Sequence, residues 1–273
     1  MNQHTTPRAM RLFSVVALSG VLLLAGCGDD DEEAKGDTAT TAAAAAAAED
    51  ASVQSACDAY TDISKAMSEM PEGDPAVYLK GTVMPLVEEL DANKPAEVEA
   101  EVDTMVAAAT KAGESGDMSA FESPEFGKAQ GKVDPYMFNN CDFDNKIEVS
   151  GKEYAFEGMG DTMPTGKTAI LFTNDGMESH EIIVASKKDG VTESFDELLA
   201  MPEEKAMEKI NMLGAAFAPA KGDQALLVAD FEPGDYAALC CIPTGTMMHD
   251  GEETPGDGPP HFVQGMKSEF TVT

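Results

Sequence analysis

The spacing of apolar side chains predicts helices in the first half of the chain. From about residue 51 to 141, apolar residues recur every three or four positions, which places them on one face of a helix. One such face carries Val53, Cys57 and Tyr60. The predicted helices span 52–70, 76–90 and 96–113, with a weaker one over 121–141. Because short breaks with Gly, Asn and Pro separate them, we expect three or four antiparallel helices in a bundle.

The second half of the chain has the pattern of β-strands. From Lys146 onward, short apolar runs alternate with turn residues. The predicted strands lie at 146–158, 167–174, 180–187, 224–231, 235–243 and 267–273. Residues 194–213 have a helical composition interrupted by Pro202, which indicates a helical insertion. The predicted fold class is therefore α+β in two domains, with a helical bundle at 51–143 and a Greek-key β-sandwich or barrel at 144–273.

The first 26 residues have the pattern of a secretory signal peptide. Arg8 and Arg11 precede an apolar run at 12–24, and small residues follow it. The sequence Leu24-Ala25-Gly26-Cys27 resembles the bacterial lipobox, which implies that Cys27 becomes the N-terminus and carries a lipid. We therefore expect the protein on the extracytoplasmic face of the cell membrane, anchored by this lipid. Residues 27–50 are acidic and Ala-rich, and are interpreted as a disordered tether.

Side chains that bind soft metals are concentrated between Cys240 and Met266. This segment opens with two adjacent thiols and closes with His261 and Met266. Thiolate, imidazole and thioether ligands favour copper over hard cations. A trigonal site with two histidines, one cysteine and a weak methionine ligand needs one more histidine. Besides His4 in the leader and His261, the chain contains His180 and His249.

At these positions the sequence resembles the cupredoxin family of type 1 copper proteins. In that family the first histidine ligand follows an Asn-containing loop and opens a strand, as His180 does after Asn174. The resemblance covers roughly 145–273, about half of the chain. It implies one type 1 copper whose ligands are His180, a cysteine of the 240/241 pair, His261 and Met266. It also implies that three further residues surround the site, namely Asn174, which pins the ligand loops, and Pro260 and Phe262, which limit water.

Two adjacent cysteines compete for the role of copper thiolate. The family's interval from Tyr to the ligand Cys matches Tyr236 to Cys240, whereas the spacing to Pro243 favours Cys241. Side chains alternate along a strand, so only one of the two thiols faces the site. Cys240 is the predicted ligand and Cys241 is the alternative.

The segment between Cys240 and His261 is longer than the ligand loops typical of the family. It is rich in Gly, Pro and acidic residues, and it contains Met247, Met248 and His249. One interpretation is a solvated insertion at the mouth of the barrel. The other is an accessory site for incoming copper, formed by these three soft side chains.

The remaining cysteines agree with an exported protein. Cys57 and Cys141 bracket the predicted helical domain, and an oxidising compartment allows them to form a disulfide. Cys27 is assigned to the lipid, one of the adjacent pair is assigned to copper, and the other is left over.

The net charge of −32, from 50 acidic and 18 basic residues, argues against binding to nucleic acid. It permits a basic redox partner, and an acidic proteome explains it as well. The sequence contains no arrangement of nucleophile, histidine and acid that indicates an enzyme. The predicted function is a membrane-tethered one-electron carrier. Copper delivery and a metal-free binding module on the same fold are the alternatives.

Overall fold

The computed structural model of the chain describes residues 38–71, 73–249 and 252–273, and for residues 38–50 and His249 it describes the backbone alone. The predicted signal peptide, the lipid site Cys27, the first part of the tether and the side chain of His249 lie outside the described residues. Residues Ala42–Thr273 form one compact unit. In this unit helices come first along the chain and β-strands follow, as the sequence predicted.

Helices occupy the first part of the described chain. Their bounds are α1 Thr38–Ser68, α2 Pro75–Tyr78, α3 Met84–Ala92, α4 Glu99–Ser115 and α5 Pro124–Asn140, with a π-helical turn, Leu79–Val83, between α2 and α3. Helix α1 therefore begins within the segment interpreted as a tether. The Asp74 carboxylate accepts the Ala76 N–H before α2, and the Ser123 hydroxyl accepts the Phe126 N–H before α5, which caps both helix starts. None of the described helices is long and apolar enough to cross a membrane.

The strands form two larger sheets and a small hairpin. The bounds of the first six are β1 Asn145–Lys152, β2 Ala155–Glu157, β3 Thr162–Met163, β4 Gly166–Asn174, β5 His180–Lys187 and β6 Ile210–Ala218. Those that follow are β7 Gln224–Phe231, β8 Gly234–Leu239, β9 Met247–His249, β10 Glu252–Thr254 and β11 Lys267–Val272. One sheet of the described chain has the strand order β2-β1-β4-β7 and the other has the order β3-β11-β8-β5-β6, while β9 and β10 pair with each other. The β1–β4 and β3–β11 pairs are parallel, and the other pairs are antiparallel.

The main core lies between the two larger sheets. Val149 and Phe172 of the first sheet belong to the same buried cluster as Ile182 and Phe270 of the second. Strand β4 is buried on both faces, because its alternate residues Ala169 and Leu171 pack in a second cluster with side chains of α1, α4 and α5. The helices thus cover the outer face of the first sheet and leave the space between the sheets to the β part.

The predicted helical insertion at 194–213 is right only in its first part. The short helices α6 Phe195–Leu199 and α7 Glu203–Met207 lie on either side of Pro202, and a capping box of Ser194 and Glu197 starts α6. The rest was predicted wrongly, since β6 begins at Ile210 and pairs antiparallel with β5 along its length. Pairing with β5 and packing on the sheet outweigh the helical propensity of its Met and Leu residues.

The predicted disulfide between Cys57 and Cys141 is confirmed. It joins α1 to the residue that ends α5, with a Cα–Cα distance of 5.5 Å. Both cysteines are buried in the cluster between the helices and the first sheet.

A buried carboxyl group also joins the helices to the sheet. Asp134 of α5 is fully buried and accepts a hydrogen bond from the Tyr60 hydroxyl of α1. It accepts a second one, of 2.7 Å, from the Leu226 N–H of β7. Burial raises the pKa of Asp134 to about 7, although these two hydrogen bonds act in the opposite direction.

We expect Asp134 to make the protein less stable as the pH rises from about 4 to about 7. In this range the folded protein keeps a proton on Asp134 that the unfolded chain releases, since an unperturbed Asp has a pKa of about 3.9. The contribution of protonated Asp134 to the free energy of unfolding is fully present below about pH 4 and is lost as the pH passes about 7. The total loss is roughly 4 kcal/mol at most.

Urea unfolding of the wild type and of the Asp134→Asn variant at a series of pH values measures this contribution. Because the amide of the variant does not ionise, the difference in unfolding free energy between the two proteins should shift in favour of the variant as the pH rises. A difference that stays constant from about pH 4 to about pH 8 would contradict the raised pKa of Asp134.

Candidate metal centre

Three of the predicted ligands meet in the interior of the β part. The side chains of His180, Cys240 and His261 are fully buried, and their ligand atoms all lie within 4.8 Å of one another. The Nδ1 atoms of the two imidazoles are 3.1 Å apart, and Cys240 Sγ lies 3.3 Å from His261 Nδ1. One thiol and two imidazoles therefore converge on one point, as the donor set of a soft transition metal would.

The ends of strands position these three residues. His180 is the first residue of β5, and Cys240 follows the last residue of β8. The Cys240 carbonyl accepts the Phe262 N–H at 2.9 Å, and the His261 N–H donates to the Ile242 carbonyl at 2.9 Å. These hydrogen bonds join the two ends of the long loop between Cys240 and His261. The length of that loop therefore does not separate the two residues.

Met266 is buried next to the ligand backbone. Its N–H donates to the His261 carbonyl at 3.0 Å, and its carbonyl accepts the Cys240 N–H at 3.2 Å. Its side chain has no exposed surface. A Cβ atom on Gly151 would lie 2.9 Å from Met266 Cε and 2.6 Å from Phe172 Cζ, so this packing requires glycine at position 151.

The two adjacent cysteines differ in burial as strand alternation requires. Cys240 is buried, whereas Cys241 is exposed. The Cys241 N–H donates to Glu181 Oε1 at 3.1 Å, which holds this residue on the outside of the sheet. The geometry therefore favours Cys240 over Cys241 as the thiolate ligand.

Asn174 organises the loop before His180. Its Nδ2 donates to the Glu178 carbonyl at 2.8 Å and to the Ala218 carbonyl at 2.9 Å, and its Oδ1 accepts the Gly176 N–H at 2.8 Å. The amide is fully buried. Asn174 thus ties the loop that leads into His180 to the end of β6.

Glu178 and Tyr154 cover His261, and neither was predicted from the sequence. Glu178 Oε2 lies 3.0 Å from His261 Nε2 and also accepts the Gly245 N–H. The Tyr154 hydroxyl donates to Glu178 Oε1 at 3.3 Å, and its ring packs edge-on against the imidazole at 5.1 Å between centroids. Tyr154 has a φ of 134°, a conformation that is strained for Tyr and that clusters at functional sites. A signal for Glu178 was its position two residues before His180 in the same loop.

A second carboxylate, that of Glu153, lies behind His180. Its Oε1 is 3.8 Å from His180 Nε2, and it accepts the backbone N–H groups of Met177 and Glu178. No sequence pattern indicates this contact. Glu153 belongs to the turn between β1 and β2, which lies far along the chain from His180.

The other residues that the sequence singled out lie around the long loop. Pro260 forms an isolated β-bridge with Pro243, which closes the base of the loop. The Phe262 side chain packs against the cluster of Phe195 and Leu198 under α6. Met247 and Met248 are half-buried residues of β9, where they pair with Thr254 and Glu253 of β10.

Burial keeps the metal-free thiol and imidazole uncharged. It raises the pKa of the Cys240 thiol to about 12. The pKa of His180 is lowered to about 4, mainly by burial and to a lesser extent by the nearby His261. Burial alone would raise the pKa of Glu178, but hydrogen bonds from Gly245 and His261 outweigh it and lower that pKa. The interior therefore offers a neutral imidazole at His180 and a thiol that a cation would ionise, with a carboxylate nearby.

The hydrogen bonds of the two histidines fit a cation between them. If His261 donates its Nε2–H to Glu178, its Nδ1 lone pair points at His180 Nδ1. When His180 donates from Nδ1 in return, its buried Nε2 is left without a hydrogen-bond partner. When His180 carries the proton on Nε2 instead, two lone pairs face each other at 3.1 Å. A metal ion accepts both lone pairs, and imidazole nitrogens about 2 Å from one ion lie about 3 Å apart.

No protein-family model and no curated protein matches the chain. Among solved structures, reduced auracyanin from the photosynthetic bacterium Roseiflexus castenholzii is similar over 47% of this chain and 96% of its own, with 18% identity and a TM-score of 0.32. Auracyanin A, a "blue" copper protein from Chloroflexus aurantiacus, is similar over 47% of this chain and 98% of its own, with 18% identity and a TM-score of 0.28. Rusticyanin from Thiobacillus ferrooxidans is similar over 47% and 77%, with 14% identity and a TM-score of 0.29. These neighbours are cupredoxins, and similarity at this level does not establish that the chain belongs to their family.

Proposed function

We propose that the protein is a type 1 copper protein that carries one electron at a time. The observation that carries this proposal is the convergence of His180, Cys240 and His261 in the core, with their ligand atoms within 4.8 Å of one another. Thiolate, two imidazoles and a weak thioether are the ligands of blue-copper electron-transfer sites. Met266, fully buried and bonded through its backbone to His261 and Cys240, supplies the thioether in this proposal.

The surrounding residues would keep the ligands in one arrangement during electron transfer. Bound copper would supply a one-electron couple between Cu(II) and Cu(I). His180 and Cys240 are fixed by neighbouring strands of one sheet, and Phe172 and Gly151 of the other sheet close the space beside Met266. Because these side chains are packed in a core, little rearrangement would accompany a change of charge. Full burial of the ligands also excludes water from the site.

The β part, in this proposal, is a cupredoxin-like Greek-key sandwich, and the helices that cover its outer face form a bundle. We place the protein on the extracytoplasmic face of the cell membrane, anchored by a lipid on Cys27. The leader pattern and the Cys57–Cys141 disulfide, which persists in oxidising compartments, support this location. Its partner would be another redox protein. We propose no nucleic-acid-binding role, in keeping with the net charge of −32, and no catalytic role.

Titration of the purified, metal-free protein with Cu(II) tests the proposed function. We expect one tightly bound equivalent, an intense thiolate-to-copper absorption band in the visible range, and reversible one-electron reduction. Visible absorption, electron paramagnetic resonance and voltammetry measure these properties. A colourless complex without a reversible couple would contradict the electron-carrier function. Tight binding of further copper equivalents that disappears in a Met247→Leu/Met248→Leu variant would instead favour copper delivery.

A further inference from the structure

We propose that Glu178, with Glu153 beside it, acts as a positioning residue that orients the ligand histidines and stabilises bound Cu(II) over bound Cu(I). The inference rests on the proposed function and adds to it a set of residues that determine the reduction potential. Behind each imidazole, on the side away from the thiol, lies a carboxylate.

Glu178 is held in place by three segments of the chain. Its Oε2 accepts hydrogen bonds from His261 Nε2 and from the Gly245 N–H, and its Oε1 accepts the Tyr154 hydroxyl. Only 17% of its side chain is exposed. A surface carboxylate rotates freely, whereas this one has both oxygens engaged and cannot leave the imidazole without breaking several hydrogen bonds. Glu178 therefore holds the proton of His261 on Nε2 and directs Nδ1 to the metal.

Glu153 has room beside His180 only because residue 176 is glycine. A Cβ atom at position 176 would lie 2.5 Å from His180 Nε2 and 2.6 Å from Glu153 Oε1. The carboxylate also binds the backbone N–H groups of Met177 and Glu178, so it shapes the same loop that carries Glu178. At 3.8 Å its oxygen acts on His180 as a nearby charge rather than through a hydrogen bond.

Two physical effects of these carboxylates favour the oxidised ion. A hydrogen bond from the distal imidazole nitrogen to a carboxylate makes the other nitrogen a stronger donor to the metal. A negative charge in a site without water also attracts a divalent ion more strongly than a monovalent one. Both effects lower the affinity for Cu(I) relative to Cu(II), and so lower the reduction potential.

The experiment compares Glu178→Gln with the wild type and with Glu181→Gln. A glutamine at 178 removes the charge but keeps one oxygen as acceptor for His261 and for Gly245, while its NH2 group takes the place of the oxygen that accepts the Tyr154 hydroxyl. Glu181 is a matched control, because it adjoins His180 in sequence but contacts the Cys241 N–H and neither imidazole. Competition with chelators gives the Cu(II) and Cu(I) affinities of each protein, and voltammetry gives the potential.

We expect Glu178→Gln to weaken Cu(II) binding about 10- to 100-fold, the usual effect of changing a residue that orients a metal ligand. Cu(I) affinity should change less than about threefold. The reduction potential should therefore rise by about 59 mV for each tenfold loss of Cu(II) affinity relative to Cu(I) affinity. Glu153→Gln should act in the same direction and more weakly, and Glu181→Gln should change the ratio of the two affinities less than Glu178→Gln does, because Glu181 contacts neither imidazole. Equal losses for both ions, no loss, or the same shift in Glu181→Gln would overturn the inference.

A measurement without metal separates this inference from the proposed function. Long-range ¹H–¹⁵N correlation spectra of the metal-free protein report which imidazole nitrogen is protonated. We expect His261 to be protonated on Nε2 in the wild type and in Glu178→Gln, and to lose this preference in Glu178→Ala. If the wild type bound no copper, the proposed function would fail while these spectra still decided the positioning role. A wild-type His261 protonated on Nδ1 would overturn that role even if copper binds.

Discussion

Replacing Cys240 by serine is expected to abolish the thiolate-to-copper absorption band completely. Cys240 Sγ lies 3.3 Å from His261 Nδ1 and is fully buried, so in the proposed site it is the sulfur that binds copper. A serine hydroxyl is a harder donor that does not ionise near neutral pH. A site with two imidazoles and a thioether but no thiolate gives no such band. Visible absorption and electron paramagnetic resonance of the copper-loaded variant measure the loss.

Cys241→Ser is the matched control for this variant. The Cys241 side chain is exposed, and its backbone N–H contacts Glu181 on the outside of the sheet, so its thiol does not face the site. The band should therefore keep its position and intensity in this protein. Loss of the band in Cys241→Ser alone would assign the thiolate to Cys241 and contradict the geometry. A band that survives both changes would contradict the type 1 site.

The strands that carry the proposed ligands can be predicted from sequence because their signals are local. His180 follows a turn and opens an apolar run, and Cys240 ends another, so each ligand lies at the edge of a strand. Strand alternation requires that only one of Cys240 and Cys241 faces the site, and the family's interval from Tyr236 selected Cys240. Neither inference requires knowledge of a distant part of the chain.

One sequence pattern indicates that the helices cover the first sheet, although we did not use it for the prediction. The run 169–172 in β4 is apolar without alternation, which is typical of a strand that is buried on both faces. An exposed outer face would require polar residues at every second position. The cluster of Ala169 and Leu171 with residues of the helices explains this pattern.

The carboxylates behind the histidines could not be predicted from sequence, since their contacts join distant segments. Glu178 and His261 are separated by 83 positions, and Tyr154 and Glu178 by 24. Tyr154 also adopts a positive φ that tyrosine rarely takes, so local propensity gives no indication of its orientation. In a chain with 50 acidic residues, nothing distinguishes Glu153 from acidic residues on the surface until the fold is known. The position of Glu178 two residues before His180 is a local signal, but it does not indicate the contact with His261.

Strand β6 and the β9–β10 hairpin were also missed, for a related reason. Residues 210–213 contain Met and Leu, which favour helices, and they form a strand only because β5 offers an edge for pairing. The hairpin lies in a segment rich in Gly, Pro and acidic residues, where single-residue propensities favour a loop. Propensity therefore failed where pairing with another strand decides the structure.

Removing the Cys57–Cys141 disulfide is expected to lower the unfolding free energy by about 4.5 kcal/mol. The bond links residues 84 positions apart, so it restricts the unfolded chain strongly in the chain-entropy description. A Cys57→Ala/Cys141→Ala variant avoids free thiols and changes little packing volume. Urea unfolding of this variant and of the wild type measures the difference.

The copper-binding properties of this double variant provide the control. Cys57 and Cys141 belong to the cluster between the helices and the first sheet, whereas Cys240 and Met266 belong to the core between the sheets. The absorption band expected of the copper-loaded protein should therefore persist in the folded variant, while the unfolding midpoint falls. A decrease in unfolding free energy below about 1 kcal/mol would contradict the chain-entropy argument. Loss of the band in a folded variant would mean that the helices support the metal centre directly, which their packing on the opposite face of the first sheet does not predict.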